Sequence, residues 1–379
     1  MMWEKVKLGD ICKYVTSGGT PKSSIKEYYE PKQIPWLKTK EVNYCRVYET
    51  ESYISKDGLN NSSAKMIPQN SVIVAMYGQG DTAGRVAINK IPLTTNQACC
   101  NLIIDETKAY YEFVYYQLVT LYEKMVSLKN GGAQPNLNAA IIKSLEIKLP
   151  SLKTQRYIAD ILSAYDNLIE NNQKQIKLLE EAAQRLYKEW FVDLRFPGYE
   201  NTKIVDGVPE GWRRGLLKEL ISVNYGKDHK KAPDDGNIPV YGSGGLMRKC
   251  NKSLFSGEAV LIPRKGSLNN IMYVDETFWT VDTMFYATMK QPHTAVFVYF
   301  FVKAFDMYSM NIGAAVPSMT AKILDAMDVV IPDKETLEKF DKRAKVYFNK
   351  IKTLQGQNER LKTARELLLP KLMSGKVEV

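Results

Sequence analysis

The sequence repeats itself, and that duplication constrains every fold the chain can adopt. Trp3…Leu8…Ile11 returns as Trp212…Leu217…Leu220, 209 residues later. Ile34-Pro35-Trp36 returns as Ile238-Pro239-Val240 at an offset of 204. Val72-Ile73-Val74 through Gly78 returns as Val260-Leu261-Ile262 through Gly266 at 188, and Phe113-Val114-Tyr115-Tyr116 as Phe297-Val298-Tyr299-Phe300 at 184. Gly131 to Asn138 then matches Gly313 to Thr320, and Leu145–Pro150 matches Met327–Pro332, both at 182. The offset falls through the first part of each half and then holds. Short deletions therefore lie inside one globular part, while the segment after it has kept its length.

Each half reads as strands and turns followed by a long helix. Ser71–Ala75 and Ala259–Ile262 are apolar strands bounded by turn residues. Tyr110–Leu128 and Thr294–Met307 read as apolar, aromatic helices, and Leu145–Leu149 and Met327–Ile331 as closing strands stopped by Pro150 and Pro332. Beyond those prolines a seven-residue period sets in. Ile158, Tyr165, Asn172, Leu179 and Leu186 form one line, and Leu162, Ile169, Ile176, Ala183 and Trp190 the other. The second helix repeats this with Phe340, Tyr347, Leu354, Leu361 and Leu368 beside Ala344, Ile351, Asn358, Arg365 and Leu372. Such heptads predict a coiled coil, with an amphipathic helix lying on its own domain as the alternative. If the helices pair antiparallel, Ile158 meets Leu372, Trp190 meets Phe340, and the polar interruptions Asn172 and Asn358 set the register.

The expected class is α+β: two pseudo-repeated α/β domains at 1–150 and 199–332, separated by helical regions at 151–198 and 333–379, with approximate two-fold symmetry. With 379 residues and 45% apolar side chains the chain can build real cores, so wholesale disorder is excluded. The apolar run 295–302 is too short to span a bilayer, and no apolar signal region follows the initial charges. Five scattered cysteines form neither a CxxC pair nor a disulfide framework. A cytoplasmic protein is expected. The net charge of +10 divides as +4, 0, +1 and +5 over the four regions, with no polybasic run. Charge alone fits an ordinary solvated surface better than nucleic acid. A helix of roughly 36 residues extends about 50 Å at ~1.5 Å per residue, which covers at most about 15 base pairs of DNA. Two unlike heads so spaced would suit a split, asymmetric site.

At this point the sequence resembles the specificity subunits of Type I restriction-modification systems over essentially its whole length. The matching stretches are Gly18-Gly19-Thr20-Pro21, Thr94-Thr95-Asn96-Gln97-Ala98, Gly131 to Asn138, and Gln155 to Leu162. Glu189-Trp190-Phe191-Val192-Asp193, Pro209-Glu210-Gly211-Trp212 and Leu369 to Gly375 follow in order. The resemblance implies two target-recognition domains that choose the DNA sequence for partner subunits. It implies double-stranded DNA as ligand and two modification subunits docked on the helices, methylating adenine with S-adenosylmethionine. Restriction subunits would use ATP and Mg to translocate and cut. The second half departs from the pattern, with Ser318 and Met319 for Asn136 and Leu137, and Tyr225-Gly226-Lys227-Asp228 for the Gly-Gly-Thr-Pro turn. This leaves the target open, not the class.

No catalytic constellation is legible. Gly78-Gln79-Gly80 through Gly84 has one residue too many for a dinucleotide loop and lacks a βαβ setting, so a tight turn is expected. No GxxxxGK[ST], HExxH or Asn-Pro-Pro-aromatic motif occurs, and His229 and His293 stand apart from other metal-type ligands. The chain is expected to be a non-catalytic reader with no cofactor or metal of its own. Rival readings are a DNA-binding regulator with duplicated domains, an enzyme with an unrecognised site, and a helical scaffold.

The candidate readers are polar and basic side chains just after matching strands, since phosphate contacts position a protein and base-edge contacts specify. In the first half these are Thr20, Lys22 and Lys26 in the first loop, Lys38 and Lys40, and Tyr77, Gln79 and Arg85 around the glycine loop. In the second they are Lys227, Lys230 and Lys231, then Tyr241, Ser243 and Arg248, then Arg264, Lys265 and Asn269. For each residue taken singly, a solvated surface role is as good a reading. Trp3 and Trp212 read as core, and Gln134 with Asn136 as part of a turn that packs the domain on its helix.

Overall fold

The computed structural model describes residues 3–129, 136–310 and 317–375. The chain divides into two compact units, Met1–Asn171 with Gln357–Val379, and Asn172–Gly356.

The first unit is built on a five-stranded sheet in the order Cys12–Ser17, Cys99–Ile104, Val72–Ala75, Val86–Asn89, Cys45–Val47. The second has six strands in the order Ile221–Tyr225, Met284–Met289, Phe255–Pro263, Met272–Thr280, Ile238–Gly242, Gly245–Cys250. Their central strands are apolar because both faces are covered. Val72 and Val74 join the core under the helix Tyr111–Thr120, while Ile73 and Ala75 join a second core on the opposite face. Val260 and Ile262 alternate with Ala259 and Leu261 in the same manner. That is the two-residue period of a pleated strand. Phe113 and Phe297, each on the helix beneath its sheet, are fully or nearly fully buried.

The strand pairings repeat with the sequence. Glu4–Lys7 pairs antiparallel with Glu146–Leu149, and Arg213–Leu216 with Asp328–Ile331. Trp36 lies opposite Thr94 in a parallel pair, and Val240 lies opposite Trp279 in another. The predicted helix over 110–128 is instead two, Tyr111–Thr120 and Tyr122–Ser127, with Leu121 turning between them. The helix predicted over 294–307 ends at Lys303, because the amide of Met307 is taken at 2.8 Å by the side chain of Asn269.

Each closing strand hands over to a long helix through the same device. Pro150 is followed by Ser151, whose hydroxyl accepts the Thr154 amide at 3.3 Å, and the helix runs Leu152–Tyr187. Pro332 is followed by Asp333, whose carboxylate accepts the Thr336 amide at 2.9 Å, and the helix runs Lys334–Met373. Side-chain capping of free helical N–H groups fixes both starts. In the first unit Ile158 and Leu162 share a core with Leu372, and Arg365 donates to Asp166 at 2.5 Å. In the second, Trp190 packs on Phe340 with ring centroids 5.8 Å apart. Of the two helix-end pairings expected from the antiparallel register, Trp190 with Phe340 is thus in contact, and Ile158 and Leu372 lie in one core. Asn172 and Asn358 are buried polar residues of their helices. Among the described residues no helix is long and apolar enough to cross a membrane.

Candidate nucleic-acid interface

The first loop of each unit leaves its sheet through one turn geometry. In the first unit the amides of Gly18 and Gly19 donate to the carbonyls of Cys99 (3.2 Å) and Thr95 (2.9 Å). In the second, Gly226 and Lys227 donate to Met284 (3.0 Å) and Thr280 (2.9 Å). A Cβ on Gly18 would sit 2.2 Å from the Thr95 oxygen, and one on Gly226 2.0 Å from that of Val281, so only glycine fits either place. Gly19 is equally confined, with a Cβ falling 2.2 Å from the Ala64 amide nitrogen. A lysine stands at the corresponding place in the second unit and is exposed. Tryptophan then clamps each turn. Trp36 donates to the Gly19 carbonyl at 3.0 Å, and Trp279 to the Lys227 carbonyl at 3.1 Å.

Around the first turn, Thr20 donates to Gln97, and Lys65 reaches the Thr16 hydroxyl at 3.1 Å. Lys22 and Lys26 are exposed. Lys38 lies over the Trp36 ring at 4.9 Å, while Lys40 is paired with Glu51. The glycine loop forms a turn, with Gly80 and Gly84 at positive φ of 62° and 95°. Tyr77 is half-buried beside it, Gln79 is exposed, and Arg85 is held by Asp81 at 2.5 Å and Asn43 at 2.9 Å. Thr20 is thus tied to Gln97, and Lys65 to Thr16. Arg85 sits in a separate network that includes Tyr122, whose hydroxyl donates to the Asp81 carbonyl.

In the second unit Lys227, Lys230 and Lys231 are exposed on a short turn capped by Asp228. Arg248 folds beneath that turn. It pairs with Asp234 and donates to the carbonyls of His229 (2.5 Å) and Ala232 (2.7 Å). Tyr241 donates to Glu276 at 2.5 Å; burial first, and then this carboxylate, push its phenol above the usual range. Asn269 also points inward, bonding Asp306 at 2.9 Å and the Met307 amide. The Ser243 carbonyl accepts the side-chain amide of Asn270 at 2.9 Å, which ties the turn between Ile238–Gly242 and Gly245–Cys250 to the loop that holds Lys265. Arg264 spreads over Tyr225 (5.4 Å) and Phe285 (5.7 Å), and its Nε is buried with no partner among the described residues. Tyr225, Ser243, Arg264, Lys265 and Asn270 thus belong to one linked set of loops. Arg248, Tyr241 and Asn269 instead bond inward, to the turn at His229, to Glu276 and to Asp306.

The segment after the repeated glycine-rich stretch of sequence anchors each unit alike. Leu137 donates its amide to the Met76 carbonyl and Met319 to that of Arg264, both at 2.9 Å, and both side chains are buried. Asn136 is half-buried; Gln134 and residues 313–316 lie outside the described residues. Trp212 is core, and Trp3 is half-buried against Phe113. His293 bonds the buried Asp341 at 2.8 Å. Among the described residues no group of three or more His, Cys, Asp or Glu is placed to hold a metal ion. Lys65, Tyr122 and Tyr308, whose hydroxyl donates to the Gly266 carbonyl at 3.3 Å, were not legible as neighbours of these loops, because only the folded chain brings them there. Gln97, inside the Thr-Thr-Asn-Gln-Ala motif, carried a usable signal.

The comparisons with known proteins fit a chain with two such units. The profile of the Type I restriction modification DNA specificity domain matches residues 2–181 and again 209–363. The MjaIX specificity subunit of the Type I restriction enzyme of Methanocaldococcus jannaschii is 28% identical, with 100% of this chain and 94% of that protein covered. The HindI specificity subunit of Haemophilus influenzae is 22% identical, with 99% of each covered. The crystal structure of the Type-I restriction-modification S subunit from M. genitalium superposes with a TM-score of 0.63 at 19% identity, covering 98% of this chain and 96% of that one, a likeness of fold. The chain belongs to this family, the specificity subunits of Type I restriction-modification systems.

Proposed function

We propose that each unit reads one half of a split, asymmetric site in double-stranded DNA through the loops described above. The observation that carries this reading is the conserved turn with exchanged side chains. Gly18-Gly19 and Gly226-Lys227 make the same backbone bonds, yet one turn presents Thr20, Lys22 and Lys26 and the other Lys227, Lys230 and Lys231. A fixed scaffold with variable polar tips is what two different base sequences require. Arg264 and Lys265, with Tyr77 and Gln79 in the other unit, extend each reading surface.

The two long helices set the half-site spacing, with Asn172 and Asn358 fixing their register, and dock two modification subunits. This chain contributes recognition without catalysis, acting in the cytoplasm on genomic DNA. Adenine methylation with S-adenosylmethionine resides in the modification subunits, and ATP- and Mg-dependent translocation and cleavage in the restriction subunits. Single-molecule methylation sequencing of the source genome, with and without this gene, tests the reading. N6-methyladenine at one split, asymmetric motif should vanish on deletion. Unchanged methylation in a strain whose modification subunit is expressed and active would overturn it.

A further inference from the structure

Away from the reading loops, a groove recurs at the same place in each unit. The first, of about 320 Å³, lies between the end of the second long helix and the helix Tyr111–Thr120 with its successor. The other, of about 420 Å³, lies between the end of the first long helix and the helix Ala295–Lys303. Matched positions line them: Thr120 and Ala304 are 184 residues apart, while Lys188 with Pro370 and Val192 with Ser374 are each 182 apart.

The residues differ, but the chemistry is kept. The first groove has apolar Leu121, Ile147 and Met373 inside a rim of Lys5, Lys124 and Lys148 against Glu146. The second has Tyr187, Val192 and Phe300 inside a rim of Arg185, Lys188 and Lys303 against Glu181. Both rims are net basic: three basic groups face Glu146 in the first, and in the second Arg185 and Lys303 face Glu181 while Lys188 is paired with Asp193 at 2.7 Å; Val192 is 58% exposed. A DNA phosphate would use the rim but leave the apolar floor wet. A protein segment with acidic side chains for the rim and apolar ones for the floor satisfies both. A patch that occurs twice on one chain takes two copies of one partner, as symmetric assemblies do.

We infer that each groove docks the same acidic, apolar segment of one modification subunit, one copy per groove; this rests on the assembly proposed above. Lys5, Lys124, Arg185 and Lys303 are all exposed; Lys303 also donates to the buried Tyr299 hydroxyl at 2.7 Å, and its Gln variant controls for loss of that bond. The full chain is co-expressed with the modification subunit, and bound copies are counted by native mass spectrometry. Wild type should carry two copies. Lys5→Glu with Lys124→Glu should carry one, as should Arg185→Glu with Lys303→Glu, with the affected copy bound at least tenfold more weakly at unchanged Tm. All four reversals together should carry none, and the corresponding Gln variants should give a partial loss. Two copies at unchanged affinity in both double variants would overturn the inference, as would loss of both copies from either one. Loss of DNA affinity with both copies retained would make the rims phosphate contacts and overturn it as well. A wild-type chain that captures no modification subunit would instead overturn the assembly on which the inference rests.

Discussion

Trp36 donates its indole N–H to the carbonyl of Gly19 at 3.0 Å, and through that bond a buried side chain holds the first loop of its unit in place. Trp279 does the same for Lys227, although it comes from a different strand. Trp36→Phe keeps the ring but orphans the carbonyl, at a cost of about 1–3 kcal/mol. Base discrimination should relax in the half-site read by the first unit alone, and Trp279→Phe should relax the other half. Methylation assays on duplexes substituted in one half at a time would show this. Equal loss in both halves would contradict independent reading.

Arg264 and Lys265 are neighbours with different surroundings. Arg264 is stacked on two rings and donates to the Asp282 carbonyl at 3.2 Å, leaving its Nε without a partner among the described residues, whereas Lys265 is exposed. Arg264→Ala should narrow the gap between cognate and altered half-sites by about 1–3 kcal/mol. Lys265→Ala should weaken all duplexes similarly and reduce the salt slope of binding by about one. Fluorescence anisotropy titrations of the assembled complex at several salt concentrations separate the two. Unchanged affinity in both variants would remove this loop from the site.

The parts of this fold that were legible in the sequence are those fixed by local periodicity. Ser71–Ala75 and Ala259–Ile262 declared themselves as apolar runs between turns, the second proving to be the middle of the longer strand Phe255–Pro263, and the seven-residue seams gave both long helices and the pairing of Trp190 with Phe340. The break at Leu121 was hidden because the apolar residues continue through it. Which candidate side chains turn inward was hidden for another reason. Asn269 bonds Asp306 and Arg248 bonds the carbonyl of His229, partners that lie many residues away and carry no motif. Trp279 taking the part of Trp36 was equally out of reach, since the two occupy unmatched positions in the repeat.

Arg248 forks between the carbonyls of His229 and Ala232 while pairing with Asp234, so it shapes the lysine-bearing turn from below. Lysine cannot reproduce that planar fork. Arg248→Ala and Arg248→Lys should therefore lower Tm and weaken DNA binding to a similar degree, without shifting base preference. Thermal melts beside binding to a panel of half-site variants would test this. Full recovery in Arg248→Lys would make the residue a simple phosphate charge instead.

Asp333 caps the second long helix and accepts the Trp212 indole at 2.9 Å, joining the start of that helix to the closing ribbon of its unit. Burial opposes its charge, but bonds from the Thr336 hydroxyl and amide and from Trp212 outweigh it and hold the carboxyl below the usual carboxylate range. A depressed folded-state pKa adds stability that is present above the unfolded value of about 3.9 and is lost as pH falls through the folded value. Asp333→Ala should cost about 1 kcal/mol at neutral pH through loss of the cap. Asp333→Asn keeps a capping oxygen and removes only the charge. Its deficit against wild type should be largest near neutrality and should close as the pH falls below about 4. Urea midpoints at pH 7 and pH 3, followed by circular dichroism, measure this. A deficit unchanged at pH 3 would assign the role of Asp333 to packing against Trp212 rather than to its charge.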